Sequence, residues 1–371
     1  MRRPLMLATA ASGLALIAAA IIVHATVAPA VAQLPANTNT TRTYSGVAAV
    51  LFDPAALAPG STAPLVLRDV PLQIAHQVRT LRSTAHASLV SDTRTVTASG
   101  TVVAALADRY VVNRRTLEPS TAISTAGLTH QVGLTFSWPI GVARHDYQGW
   151  VPDTGATTTL HYAGTQRVRG IDTFVFTASV PAAPITDPQV LAGLPRSLPK
   201  AALPNVVSRL GLPAAQLAQL ATFAAEIPAV VPLSYTYQAH STYWVAPASG
   251  VVVNLSTDEI RTVNASVQGF TVPIAPVAEF RYSDSPATLT SAVKDARTAA
   301  TRLTLIRTTG PIVLGALGLL LLGAATVGTG RRRARARTRV LDVTDAVTGL
   351  IQVPGPRPPS RHRSHSPAHR R

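Results

Sequence analysis

The sequence predicts a mainly β protein: an antiparallel curved sheet, or two related β subdomains, with a small helical insert and flanking N- and C-terminal transmembrane helices. Two observations carry this reading. From Thr41 to Phe280 the dominant hydrophobic period is two, as in a strand whose successive side chains face opposite sides. At either end stands an uncharged apolar stretch, Leu5 to Val23 and Gly310 to Gly330, each flanked by arginines.

Residues 1–32 form the first element. The stretch from Leu5 to Val23 follows Arg2 and Arg3, so its start is expected in the cytoplasm. It reads as an anchor or as a signal peptide, because Ala30-Val31-Ala32 before Gln33 has the small-x-small pattern of a cleavage site. Its length, beyond the usual signal core, fits an anchor better.

The β-rich region spans 33–283. Strands are expected at Thr43–Phe52, Leu65–Val70, Leu72–Ser83, Ala87–Ala98, Thr101–Ala107 and Arg109–Asn113. A hairpin follows, Thr157–Val168 and Asp172–Val180 around Arg169-Gly170, with Phe174 and Phe176 on one face. In a later strand Tyr235, Tyr237, Ala239, Ser241, Tyr243 and Val245 share a face, before a Pro247–Gly250 turn and a return from Val251. The stretches Arg109–Glu118 and Tyr243–Val252 have similar strand ends, which either duplication or the common form of hairpins explains. The insert, 187–232, is rich in Pro, Leu and Ala. It carries expected helices at Asn205–Leu210 and Pro213–Ile227, the second with Leu217, Leu220 and Phe223 as an apolar stripe.

Residues 284–309 read as a juxtamembrane stalk. Asp284-Ser285-Pro286 is a helix start, and Leu289, Val293, Ala296, Ala300 and Leu303 form a narrow apolar seam. Residues 310–330 give a helix of about 31 Å, close to the roughly 30 Å of a bilayer core. Ala11, Ala15 and Ala19, with Ala324 and Gly328, are small residues at four-residue spacing that suit close packing of the two spans. The tail, 331–371, is basic and lacks a core-forming composition, so disorder is expected. Arg331, Arg332, Arg333, Arg335 and Arg337 mark it as cytoplasmic and are candidate contacts for anionic lipid.

Composition narrows the chemistry. Of the net charge of +16, the tail's eleven arginines against Asp342 and Asp345 carry most, and Arg2 and Arg3 two more, leaving +5 for everything between. That is a signature of topology and lipid surface, and no nucleic-acid partner is expected. There is no cysteine, which excludes disulfides, thiolate metal sites and cysteine nucleophiles. The 17 carboxylates show no hydrolase context, and no nucleophile elbow, zinc-protease helix or phosphate loop occurs. No catalytic residue, metal or cofactor is assigned. His145-Asp146 is the one His–acid neighbour pair of the exported region, and it reads as a loop feature.

The densest cluster is Phe136-Ser137-Trp138-Pro139-Ile140 with Tyr147, Trp150 and Asp153. It reads either as a core anchor with a shaped loop or as an aromatic wall for a sugar ring or acyl chain. Trp138, Tyr147, Trp150, Tyr243 and Trp244 are the candidate ligand contacts.

This pattern resembles an actinobacterial family of membrane proteins, DUF3068, also labelled PorA-type porins. The family has an N-terminal span, a strand ending V-D-R-x-T-G, a Phe-Pro segment followed by Tyr and an aromatic-Asp, a second such strand and a C-terminal span. Val112 to Thr116 matches the first strand end, with Asn113 for Asp and Leu117 for Gly. Trp138-Pro139-Ile140, Tyr147, Trp150 and Asp153 match the centre, and Tyr243-Trp244-Val245 with Ser249 to Val252 the second strand. The resemblance runs from Leu5 to Gly330, and the two departures argue against a chemical duty at the strand ends. It implies a plasma-membrane protein linked to building a lipoglycan-rich envelope. The strand ends also look like those of periplasmic lipoprotein carriers, whose curved sheet cups an acyl chain. A pore-forming barrel needs an outward apolar band, not two apolar helices and a basic tail. The expected function is non-enzymatic binding or presentation of an envelope lipid, lipoglycan or partner protein. An envelope transferase or hydrolase and a scaffold of a membrane complex are the alternatives. The expected partners are the plasma membrane with its anionic lipids, an envelope lipid or lipoglycan, and other membrane proteins.

Overall fold

A computed structural model describes residues 2–58, 61–210, 228–267 and 270–326, with Ala214 and Ala218. The expected helix Pro213–Ile227 and the tail arginines Arg331, Arg332, Arg333, Arg335 and Arg337 lie outside the described residues. The chain divides into two compact units, Met1–Ile22 with Gly310–Arg371, and Val23–Thr309.

In the first unit, helix α1 (Arg2–Ile22) pairs with the helix over 310–326. Helices over Leu7–Val31 and Pro286–Thr326 are long and apolar enough to cross a membrane. The close approach runs through glycine and not through the alanines the sequence suggested. A Cβ on Gly13 would stand 2.8 Å from the Gly318 carbonyl oxygen, and one on Gly318 2.7 Å from that of Gly13. Ala11, Ala15 and Ala324 are exposed, Ala19 is half-buried and Gly328 lies outside the described residues, while Ala20 and Ala325 are buried. Alanine spacing alone did not say which stripe meets the partner; backbone contact at a glycine pair does.

The second unit is an eleven-stranded antiparallel sheet curled into a half-barrel. Its strands are β1 (Asn39–Phe52), β2 (Val66–Ser83), β3 (Ala87–Ala98), β4 (Thr101–Asn113), β5 (Tyr147–Val151), β6 (Ala156–Val168), β7 (Ile171–Pro184), β8 (Ser197–Pro199), β9 (Val230–Val245), β10 (Val252–Val267) and β11 (Phe270–Asp284). Two meanders, β1 to β4 and β5 to β11, meet where β1 pairs with β11, in the order β4-β3-β2-β1-β11-β10-β9-β7-β6-β5, with β8 beside β9. Two expected breaks do not occur. β2 runs through Pro71, whose carbonyl still accepts from Ser99 N–H at 3.0 Å, while Asp69 takes the kink at φ 51. β4 runs through Asp108, which faces Asp92 across the ladder and accepts from the Thr129 hydroxyl at 2.8 Å.

Helix α2 (Ala28–Val31) precedes the sheet, and α3 (Pro188–Ala192) and α4 (Leu203–Leu210) lie in the insert. Helix α5 (Pro286–Thr304) starts as read: Pro286 opens it and the Ser285 hydroxyl accepts from Thr288 N–H at 3.2 Å. Its seam residues Val293 and Ala296 pack on Ala246 and Val253 of the β9–β10 hairpin.

The edges of the sheet, β4 and β5, are linked by the irregular segment 114–146. Ser120 N–H donates to Val111 at 2.9 Å and Thr129 N–H to Arg109 at 2.8 Å, while Leu134 exchanges hydrogen bonds with Gln148 and Trp150 at 2.8 Å each. The connection thus covers two edges that would otherwise expose unpaired backbone.

A chain of four charges crosses the interior, three of them buried and the fourth, Arg94, half-buried. Arg94 on β3 donates to Glu259 on β10 at 3.0 Å, Arg261 donates to Glu259 at 3.1 Å, and Arg261 Nη2 meets Asp153, just after β5, at 2.7 Å. Glu259 and Arg261 share the inward face of β10, two residues apart. β3 lies four strands away from β10 on one side and β5 four on the other. On a flat sheet that is roughly 19 Å, more than two extended side chains span, so the pairs require the curl. Burial alone would raise the Glu259 carboxyl, but the charges of Arg94 and Arg261 outweigh it and hold it at about 2.

Glu259 therefore contributes stability that is fully present above its ordinary value of 4.5 and is lost as pH falls toward about 2. Acid titration of the full chain in detergent, followed by tryptophan fluorescence, should show loss of closure in that window. At neutral pH, Glu259→Gln takes the shared carboxylate from the buried Arg261 and the half-buried Arg94 and should cost about 3 kcal/mol in chemical denaturation.

Candidate functional site

Two cavities open at opposite ends of the half-barrel, one by the last residues of β1 and one by its first. The first, about 740 Å³, has apolar walls that include Leu51, Val96, Val102, Val277 and Phe280, and its floor is Arg94, Glu259 and Arg261. Those charges already satisfy one another. Arg94 also donates to the Tyr282 hydroxyl at 3.1 Å, and Arg261 stands 5.1 Å from the Tyr237 ring centre. The layer between the cavities includes Tyr44, whose hydroxyl burial pushes up to about 12, so it stays neutral.

The second cavity, about 840 Å³, is lined by Leu34, Val78, Phe136, Trp138, Ile140 and Leu303 among others. One wall is the face of α5, and another the segment from Ala30 that leads out of α2. Its polar groups are mostly engaged. Arg42 holds Asp284 at 2.7 Å and the Val252 carbonyl at 2.6 Å. Arg114 holds the Leu34 and Thr84 carbonyls at 2.9 and 3.0 Å, and His76 meets Asp92 at 2.5 Å.

Of the five aromatic candidates, the fold brings three together. Trp138, 5% exposed, stands 4.2 Å from the Phe176 ring centre, 5.1 Å from Tyr147 and 6.0 Å from Tyr243. Tyr147 and Tyr243 back Trp138 from the inward faces of β5 and β9 and are absent from the cavity wall. Trp150 and Trp244, one residue out of phase, face the other way. Trp150 meets His130 edge-on at 5.3 Å with its buried indole N–H unpartnered, and Trp244 donates to Gln166 at 2.7 Å. The Trp138 loop is set by the β9–β10 turn: Gly250, at φ 72, has the Trp138 and Pro139 carbonyls where a Cβ would go.

Sequence neighbours His145 and Asp146 do not pair through their side chains. The Asp146 carboxylate accepts from Tyr162 N–H at 2.8 Å and meets His161 at 2.9 Å, and these contacts lower its pKa. The two departures at the strand end are structural as well. Asn113 caps the turn, accepting from Arg115 N–H at 2.8 Å, and Leu117 sits at φ 60, a left-handed conformation that favours glycine. Sequence reasoning missed the Arg94–Glu259–Arg261–Asp153 chain. The available signal was a charged pair two residues apart on a strand face that is otherwise apolar at Leu255 and Val263.

The family model Porin PorA matches residues 6–327, covering both apolar helices and the whole sheet. The chain belongs to the Porin PorA family. No curated protein matches the sequence. One solved structure, the acyl-CoA thioesterase II TesB2 from Mycobacterium marinum, is 13% identical over 66% of this chain and 80% of that one. Its TM-score of 0.11 is too low to carry any argument. In this Porin PorA member the outward side chains along the middle of β9 are Ser234, Thr236, Gln238, His240 and Thr242, between Val230 and Pro232 at one end and Trp244 at the other, and those of β6 include Thr157, Thr159 and His161. Such faces suit water, whereas a lipid-exposed barrel needs an outward apolar band.

Trp138→Ala should cost about 3–5 kcal/mol in chemical denaturation, because it empties a packed aromatic cluster. Trp244→Ala, which loses one half-exposed hydrogen bond, should cost about 1 kcal/mol.

Proposed function

We propose that this Porin PorA member is a membrane-anchored, non-enzymatic binder of an acyl-bearing envelope lipid, which it holds in the cavity beside Trp138. The observation that carries the reading is the aromatic cavity itself. Its 840 Å³ falls in the range of ligand sites, and two of its walls are segments that lead on in the chain to the apolar helices. Trp138 supplies a rigid flat surface, and Tyr147 and Tyr243 keep it in place.

The organisation we infer is an anchor at 1–32, a lipid-binding region at 33–283 with its insert at 187–232, a stalk at 284–309, a span at 310–330 and a tail at 331–371. In this reading the tail is cytoplasmic with anionic lipid as its partner and the folded bulk lies outside, and the arginines from Arg331 to Arg339 support that orientation.

Purification of the full chain in mild detergent, followed by mass spectrometry, should recover an acyl-bearing lipid. Ala299→Trp, which fills the cavity from α5, should lower its occupancy about tenfold with little change in denaturation midpoint. Recovery of no lipid, or equal occupancy in the variant, would reject the reading. The orientation is open to a separate check, since the chain has no native cysteine. In intact wall-stripped cells an impermeant maleimide should label Ala126→Cys, on an exposed turn, and should not label Thr338→Cys. The reverse pattern would invert the topology.

A further inference from the structure

The aromatic cavity carries a charge that lipid binding in general does not explain. Five basic side chains line it: Arg42, His76, Arg114, Arg115 and Arg302. Asp284, Asp92 and backbone carbonyls engage the first three. Arg115 and Arg302 have no side-chain hydrogen bond, ion pair or ring contact among the described residues, and both are exposed at the rim. The one acidic side chain on the lining is Asp295, on α5. The rim is therefore net positive, above walls made of Leu34, Val78, Phe136, Trp138 and Leu303.

Building on the lipid-binding reading, we propose that the occupant is an anionic phospholipid, its acyl chain against Trp138 and its phosphate on the guanidiniums of Arg115 and Arg302. Guanidinium offers paired N–H donors that match phosphate oxygens and is desolvated more readily than an ammonium. Free phosphate would gain nothing from the apolar walls, and a neutral lipid would leave both arginines unanswered. Asp295 opposes the phosphate, so its removal strengthens binding.

The test incubates the full chain with phosphatidylcholine vesicles doped with either phosphatidylglycerol or diacylglycerol, and native mass spectrometry then counts the captured lipid. The wild type should capture phosphatidylglycerol about tenfold better than diacylglycerol. Arg115→Gln with Arg302→Gln should abolish that preference while diacylglycerol capture stays unchanged, and Asp295→Asn should increase it. Equal capture of both lipids by the wild type would overturn the anionic preference and leave lipid binding standing. Capture of neither would overturn both readings. Two further outcomes would overturn the proposal: the preference surviving in the double arginine variant, or surviving in Ala299→Trp, which would place the anionic contact at the membrane surface and not in the cavity. Displacement of phosphatidylglycerol by inorganic phosphate alone would assign the site to the free anion.

Discussion

Four charges hold the half-barrel in its curve. Arg94, Glu259, Arg261 and Asp153 alternate in sign, sum to zero and join strands that lie far apart along the sheet. Burying them is costly in isolation, and apolar replacements of equal volume often do as well for stability. Their value here is geometric. An apolar interior tolerates slippage of one wing against the other, whereas an alternating charge row has one register in which every guanidinium meets a carboxylate. The inward residues around it, such as Ala48, Phe280 and Ala239, then fall into rows across neighbouring strands.

That row also makes the two ends of the interior unlike. At one end the charges form a floor beneath apolar walls and answer each other. At the other, Trp138 seals an apolar space against α5, and its aromatic backing comes from β5, β7 and β9. The Trp138 loop is held by Val142 N–H donating to Pro247 at 2.9 Å and by the bare face of Gly250. One hairpin turn therefore serves two neighbours, α5 through Ala246 and the aromatic loop through Gly250.

Much of this was legible in the sequence because strand alternation is a local property. β3 runs from Ala87 to Ala98 as read, and the inward set of β9 is the one its period-two pattern gave. The α5 start followed from Ser285 and Pro286 alone. Proline and aspartate misled at Pro71 and Asp108, since partners remote in sequence satisfy both positions. The site was less legible for the same reason. Alternation separated Tyr243 from Trp244, but only the closed sheet sets Trp138 against Phe176 and Tyr243, partners remote from it in the chain. The pairing of Arg94 with Glu259 joins positions 165 residues apart, and no spacing rule announces it.

The seam between β4 and β5 differs from every other junction in the sheet. Elsewhere a continuous ladder zips neighbouring strands, while here a wandering stretch of coil lends a handful of bonds. With no disulfide to clamp it, this is where the wall can part at least cost. Under the lipid-binding reading proposed above, that slit is a side entrance for a long hydrocarbon, which need not thread end-first through a fixed mouth.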